Sequence, residues 1–260
     1  IIPTGGGRVS APGSRAEPIY FFATNGPAAM VLPQNVQNND PSWRGIYHQG
    51  NGISTYSFVF FTGAGNGIVS SHPRPPILRA ENSHMLTFND CIVADCPGMG
   101  TSALGGSSGT YTFRRCLFSR VGIGGEWLGT GLTLLIEDSW FTRIGRAPEP
   151  NGVDGDVLHV DRPGNSYTIR RSIMTDCGDD MIDHSTGAQP VVENCIIYDC
   201  RDKIVSIGPL VDGPEATITM TNCLIFNGPG GIRCNQAPAI LTNCTLGSGT
   251  NVNGQGCTGT

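Results

Sequence analysis

Lysine is almost missing from this chain: Lys203 is its single copy, against fifteen arginines. Charged residues of every kind make up only 14% and the formal net charge is −5. That balance excludes the basic stripes that nucleic acid rewards, so no nucleic-acid partner is expected. No apolar run approaches the roughly 18 residues needed to cross a bilayer as a helix, so no membrane span is expected. Apolar residues at helical spacing are nowhere sustained over ten or more positions. Ten cysteines are present, yet no Cys-x-x-Cys pair and no Cys/His cluster has metal-ligand spacing. The lysine deficit itself carries no functional reading. Ile1 stands where an initiator Met would, and no signal-peptide pattern precedes it, so a processed product or a piece of a longer chain is expected.

What the chain does have is 37 glycines, 18 prolines and a repeat. From their first residues, FVFFTG (Phe58), CIVADC (Cys91), CLFSRV (Cys116), SWFTRI (Ser139), SIMTDC (Ser172), CIIYDC (Cys195), CLIFNG (Cys223) and CTLGSG (Cys244) align as one unit. The intervals between them are 33, 25, 23, 33, 23, 28 and 21 residues. Each is a short run bounded by Gly, Asp or Asn, which reads as strand between turns. A period of about two dozen residues, all strand and turn, predicts an all-β solenoid. The expected fold is a right-handed parallel β-helix of about eight rungs, with equivalent positions stacked one strand spacing apart, ~4.8 Å. Extra residues in such a coil must leave as loops, and the longest insertion, 146–155, stands just before Asp156 as a lip to a groove.

The same register interprets the cysteines. Cys91, Cys116, Cys195, Cys223 and Cys244 share a column with Phe58, Ser139 and Ser172. Cys96, Cys177 and Cys200 share another with Val121 and Ile144. Small or apolar alternatives imply inward stacks of mostly free thiols acting as compact hydrophobes. Cys177 and Cys200 would lie close enough to bridge under oxidation. Residues 1–18 read as a linker-like segment, 19–52 as an irregular N-terminal cap and 53–260 as the β-helix. Within the cap, Phe21, Phe22, Trp43 and Tyr47 are expected to close the open coil end.

Chemistry is expected where rungs align charges. With Leu158, Ile182, Val205 and Ile232 inward, His159, Asp183, Ser206 and Arg233 follow as an outward column. Two positions before the inward residues stand Asp156, Asp180 and Lys203, and Asp179 precedes Asp180. Asp156, Asp179, Asp180 and Asp183 would share one face with His159 beside them. Like charges one rung apart should raise at least one pKa or recruit a cation. On ideal register Asp156 and Asp183 are ~8 Å apart on the diagonal, the separation inverting glycosidases use.

These segments resemble the pectate lyase-like superfamily of right-handed parallel β-helix proteins, and 151–208 resembles a degenerate polygalacturonase pattern. Asp156 in GVDGDVLHV matches the last residue of that family's Asn-Thr-Asp. Gly178-Asp179-Asp180 matches its Gly-Asp-Asp. KIVSIG (203–208) occupies the next strand, with Lys203 where the family has histidine, and Arg233 in GIRC loosely replaces Arg-Ile-Lys. The resemblance implies a secreted or cell-surface protein that binds or cleaves polysaccharide at the acidic patch. Ca²⁺ held by carboxylates from adjacent rungs, with Lys203 or Arg233 as a lyase base, is a competing chemistry. The alternative is a non-catalytic surface or filament module, whose partners are other domains of a longer chain or further copies of itself. On that reading the aspartates satisfy local backbone at turns. Asp180 and Lys203 then form an ordinary cross-rung ion pair, and His184 is a satisfied core histidine.

Overall fold

Alternation along short strands sets the architecture. In Ser166–Arg170 the side chains of Tyr167 and Ile169 are buried while Ser166 is exposed, and in Ile218–Thr221 burial again falls on every second residue. Such strands turn one face inward and the other to solvent, as the wall of a coil does. The computed structural model describes residues 7–22, 43, 45–64, 76–103, 108–145, 155–185, 188–207, 217–234, 238–254 and 258–259. Among them there are strands and no helix, and every strand pairing is parallel, as a parallel β-helix requires.

The coil has three faces. The first is a 10-stranded sheet from Ser10–Pro12 through Ile53–Ser57, Met85–Asn89 and onward to Ala239–Thr242 and Thr258–Gly259. The second runs from Ile19–Phe21 and Val59–Thr62 through Trp140–Ile144, Ile173–Cys177 and Ile196–Cys200 to Thr245–Leu246. The third holds Ile46–His48, Leu78–Ala80, Leu158–Asp161, Ile182–Ser185, Lys203–Ile207 and Gly228–Cys234. Ile92–Ala103 and Leu117–Trp127 run unbroken through the corner between the second and third faces and join them.

Ten strands on the first face exceed the eight rungs expected. The additions lie partly in the stretches read as linker and cap. Ser10–Pro12 pairs with Thr55–Ser57, Ile19–Phe21 with Val59–Phe61, and Ile46–His48 with Leu78–Ala80. Three-residue strands are too short for alternation to show in a sequence. The first unit also shifts by one. Phe60 pairs with Ile92, so Val59, not Phe58, occupies the Cys91 column. The run FVFF is apolar throughout and cannot specify its own register.

Two corner columns adopt left-handed backbone. Phe58, Asp90, Arg115, Asp138, Arg171, Asn194, Asn222 and Asn243 have φ of 50–56°, and Asp95, Arg120, Arg143, Asp176, Asp199 and Asn227 have φ of 52–60°. Asn and Asp tolerate this region best. Their side chains also bind along the axis: Asn243 Nδ2 donates to Asn222 Oδ1 at 2.6 Å, and Asn222 Nδ2 to Asn194 Oδ1 at 3.2 Å. Arginines answer the aspartates one rung away, with two bonds from Arg115 to Asp90 at 2.7 Å each and a pair from Arg120 to Asp95 at 2.6 and 2.7 Å.

Serine and cysteine exchange in the anchor column because both donate to the carbonyl two residues back. Ser139 Oγ reaches Glu137 O at 2.8 Å and Ser172 Oγ reaches Arg170 O at 2.9 Å, while Cys195 Sγ reaches Glu193 O at 3.2 Å. Among the described residues eight cysteines are free and seven of those are buried; Cys234 is disulfide-bonded. Cys177 does stack on Cys200.

Aromatic rings fill the N-terminal half of the core. Phe88 lies between Tyr56 and Phe113 with centroids 4.8 and 4.9 Å away and nearly parallel planes. Trp43 stacks on Phe21 and donates to Thr62 O at 2.8 Å, as cap packing requires, whereas Phe22 is exposed. Beneath lies a buried polar network. His84 Nδ1 donates to Gly50 O (3.3 Å), which leaves His84 Nε2 to accept from Ser54 Oγ (3.0 Å). Ser54 Oγ then accepts from His48 Nδ1 (3.3 Å), and His48 Nε2 accepts from the Tyr56 hydroxyl (3.0 Å). Every bond is made with both imidazoles neutral.

The corner before the third face is built of close glycines. A Cβ on Gly178 would come within 2.4 Å of the Gly145 carbonyl oxygen, and one on Gly145 within 2.2 Å of Gly155 Cα. Gly178→Ala is therefore expected to cost about 2–3 kcal/mol, read as a melting temperature lower by roughly 5 °C or more. An unchanged melting temperature would mean the rungs do not approach so closely here.

Candidate functional site

The outward columns form as the sequence register implies. Leu158, Ile182, Val205 and Ile232 are buried and in line. His159 pairs with Asp183, Asp183 with Ser206, and Ser206 with Arg233. One rung earlier the same column continues to Glu126, opposite His159, and Ser102. Glu126 is buried, and its Oε1 lies 3.9 Å from His159 Nδ1. Sequence reasoning missed this carboxylate. The available signal was positional, since Glu126 precedes inward Trp127 as His159 precedes Val160.

Asp156 is the centre of the cluster, only 2% exposed. Ligand atoms of Asp156, His159 and Asp183 all lie within 4.8 Å of one another, and so do those of Asp156, Asp179 and Asp180. The ~8 Å diagonal expected between Asp156 and Asp183 is thus an overestimate for their nearest oxygens. The two side chains converge from neighbouring rungs. A gap this short lies below the roughly 6.5–9.5 Å separation of an inverting pair.

Burial first, then the charges of Asp183 and Asp180, push the Asp156 carboxyl well above the ordinary range. Burial also raises Asp180, partly offset by Lys203. Asp156 Oδ1 accepts from the Asp180 amide at 3.1 Å, and Asp180 Oδ1 accepts from the Lys203 amide at 2.9 Å. Lys203 Nζ lies 3.1 Å from Asp180 Oδ1 and closes on Asp202 as well. Burial works against its charge, but the hydrogen bonds it donates to Asp202 and Asp180 outweigh it and hold the ammonium protonated. Arg233 is exposed and two strand steps from Asp183, outside the cluster. The lip loop falls on residues 146–154, outside the described residues; only Gly155 at its end is described.

The carboxylate oxygens suit a hard cation such as Ca²⁺ by type; three aspartates converge in one group and two aspartates with the His159 imidazole in the other, against the six to eight oxygens Ca²⁺ takes. Asp156 and Asp180 already serve backbone amides, and an ammonium sits on Asp180. The described residues would supply only part of that ion's coordination shell.

His184 is inward and fully buried, as expected. It is not satisfied: neither ring nitrogen has a hydrogen-bond partner among the described residues.

Residues 77–246 match the family described as "Right handed beta helix region". No curated protein and no solved structure matches the chain.

Proposed function

Since the chain belongs to the right-handed β-helix family, a scaffold compatible with carbohydrate-associated and with structural roles, we propose that its third face binds and hydrolyses a polysaccharide. The observation that carries this reading is the convergence of Asp156 and Asp183 beside His159. A buried carboxyl with a raised pKa holds its proton more strongly than an ordinary aspartate, as a general acid must. Asp183, half-buried on the outward column, supplies the second carboxylate. Their close spacing favours a retaining over an inverting course. Lys203, held protonated, is unsuited to abstract a proton, which weighs against a lyase. An extracytoplasmic location belongs to this reading, where such polymers are found.

The test is incubation with a panel of neutral and acidic polysaccharides, with and without Ca²⁺, beside Asp183→Asn. New reducing ends are expected from the parent protein and a loss of about 10²-fold or more from the variant. Unsaturated uronate absorbance would instead establish elimination and overturn hydrolysis.

One observation favours a purely structural module. Asp156 and Asp180 each satisfy the amide of the next rung, which is what a turn aspartate does without any substrate. Silence on every glycan would select that reading. Partners would then be other domains or copies of the chain.

A further inference from the structure

The second face carries a feature that neither the repeat nor the acidic cluster requires. Its outward column is apolar for eight consecutive strands, from Tyr20, Phe60 and Ile92 to Leu224. Tyr20 is 48% and Trp140 47% exposed. Tyr20 stacks on Phe60 with centroids 5.0 Å apart. Trp140 follows Phe60 three strand steps along, roughly 14 Å. Between them lies a groove of about 620 Å³, floored by Phe60, Leu117 and Trp140.

Its walls differ. On one side stands the corner column, which contributes Asp90, Arg115 and Asp138, with Arg15 nearby. On the other side the next positions along the strands, Thr62, Ala94 and Ser119, are buried, and Thr142 is partly exposed. The charged lining balances, two arginines against two aspartates, and Arg115 is held to Asp90 by two bonds. A polyanion finds no net positive field there.

Size limits the occupant further. The apolar column is one side chain wide, about 34 Å by 7 Å, on the order of 250 Å². A stable pairing of two globular surfaces needs about 800 Å² from each partner. A second copy of the chain would gain too little on this strip. A narrow linear polymer fits it, with flat apolar faces to stack on aromatic rings and hydroxyls to meet fixed Asp and Arg groups.

We propose that this groove binds a neutral polysaccharide whose chain lies along the solenoid axis, stacked on Phe60 and Trp140. The proposal goes beyond the acidic cluster: it concerns another face and holds whether or not the third face is catalytic.

The experiment is native gel electrophoresis of the whole chain through soluble galactomannan, xyloglucan or mixed-linkage β-glucan, with polygalacturonate as the charged comparison. Retardation by at least one neutral polymer is expected, and Trp140→Ala and Phe60→Ala should each weaken it about tenfold. Ile240→Ala, an exposed apolar residue of the first face and outside both sites, should be retarded like the parent. Trp140 is half exposed, so its variant should melt within a few degrees of the parent; Phe60→Ala provides the second substitution if it does not. Free migration through every neutral polymer would overturn the proposal, as would equal retardation of the parent and both variants. So would retardation by polygalacturonate alone, or a dimer in light scattering that Trp140→Ala dissociates.

Discussion

The Asp156→Asn protein is expected to melt several degrees above the parent at pH 7 and to lose that advantage in acid. Asp156 is buried and faces two other carboxylates, so its charged form lacks hydration and is repelled. A carboxyl whose folded pKa lies above its unfolded value contributes its full stability only below the unfolded value, near pH 4. That contribution is lost as pH rises toward the folded value. Asparagine keeps the oxygen that accepts the Asp180 amide and has no charge to desolvate. Relief of one uncompensated carboxylate corresponds to about 1–3 kcal/mol, or roughly 2–4 °C for each kcal/mol in a chain of this size. The measurement is calorimetry of both proteins from pH 3 to 8. A lower melting temperature for the variant at pH 7 would mean that the Asp156 carboxylate is stabilised by its surroundings, and the acid role proposed for it would fall. Higher stability with lost hydrolysis is the trade expected of a group kept for chemistry.

The second large effect belongs to the buried histidines and has the opposite sign. Burial lowers His48 to about 3 and His184 to about 4, and it lowers His84 too. The unfolded chain takes up these protons near pH 6.5 while the folded chain refuses them. Stability is therefore complete above pH 6.5 and falls as pH drops toward the folded values, by about 1.4 kcal/mol per unit for each histidine. Protonation of Asp156 and Asp180 works against this loss, so the net slope is shallower than the histidines alone would give.

His184→Leu isolates one contribution. It removes two buried ring nitrogens that have no partner among the described residues and should stabilise by about 1–3 kcal/mol at pH 7. The gap over the parent should then widen between pH 6.5 and about 4, because leucine cannot titrate. Urea melts at pH 7 and pH 4.5 check both parts. An equal gap at the two pH values would mean that His184 is charged in the native state.

Much of the frame could be read before any coordinates. The outward series His159, Asp183, Ser206 and Arg233 and the inward series Leu158, Ile182, Val205 and Ile232 follow from period alone, since a parallel coil repeats its register at every rung. Register fails where the pattern is ambiguous. Phe58 moved because four apolar residues in a row fit two alignments, and Ser10–Pro12 was too short to announce a strand. Glu126 escaped for another reason. Leu117–Trp127 runs through its corner as one unbroken strand, Gly122, Gly124 and Gly125 included, so nothing in the run marked where the second face ends and the third begins. Distances between side chains were not legible at all. Convergence of Asp156 and Asp183 depends on rotamers, and the missing partners of His184 depend on what surrounds it in three dimensions.

Consecutive strands on every face are held to one another along the axis, and the first and last strands of the 10-stranded sheet stand at opposite ends. Tension applied between those ends would pull on the bonds between rungs directly instead of sliding strands past each other. The rungs are links in series, so the outermost would part first, releasing the slack of one repeat before the next was loaded. Such a coil is a weak tether when pulled end to end and a stiff surface when pressed from the side.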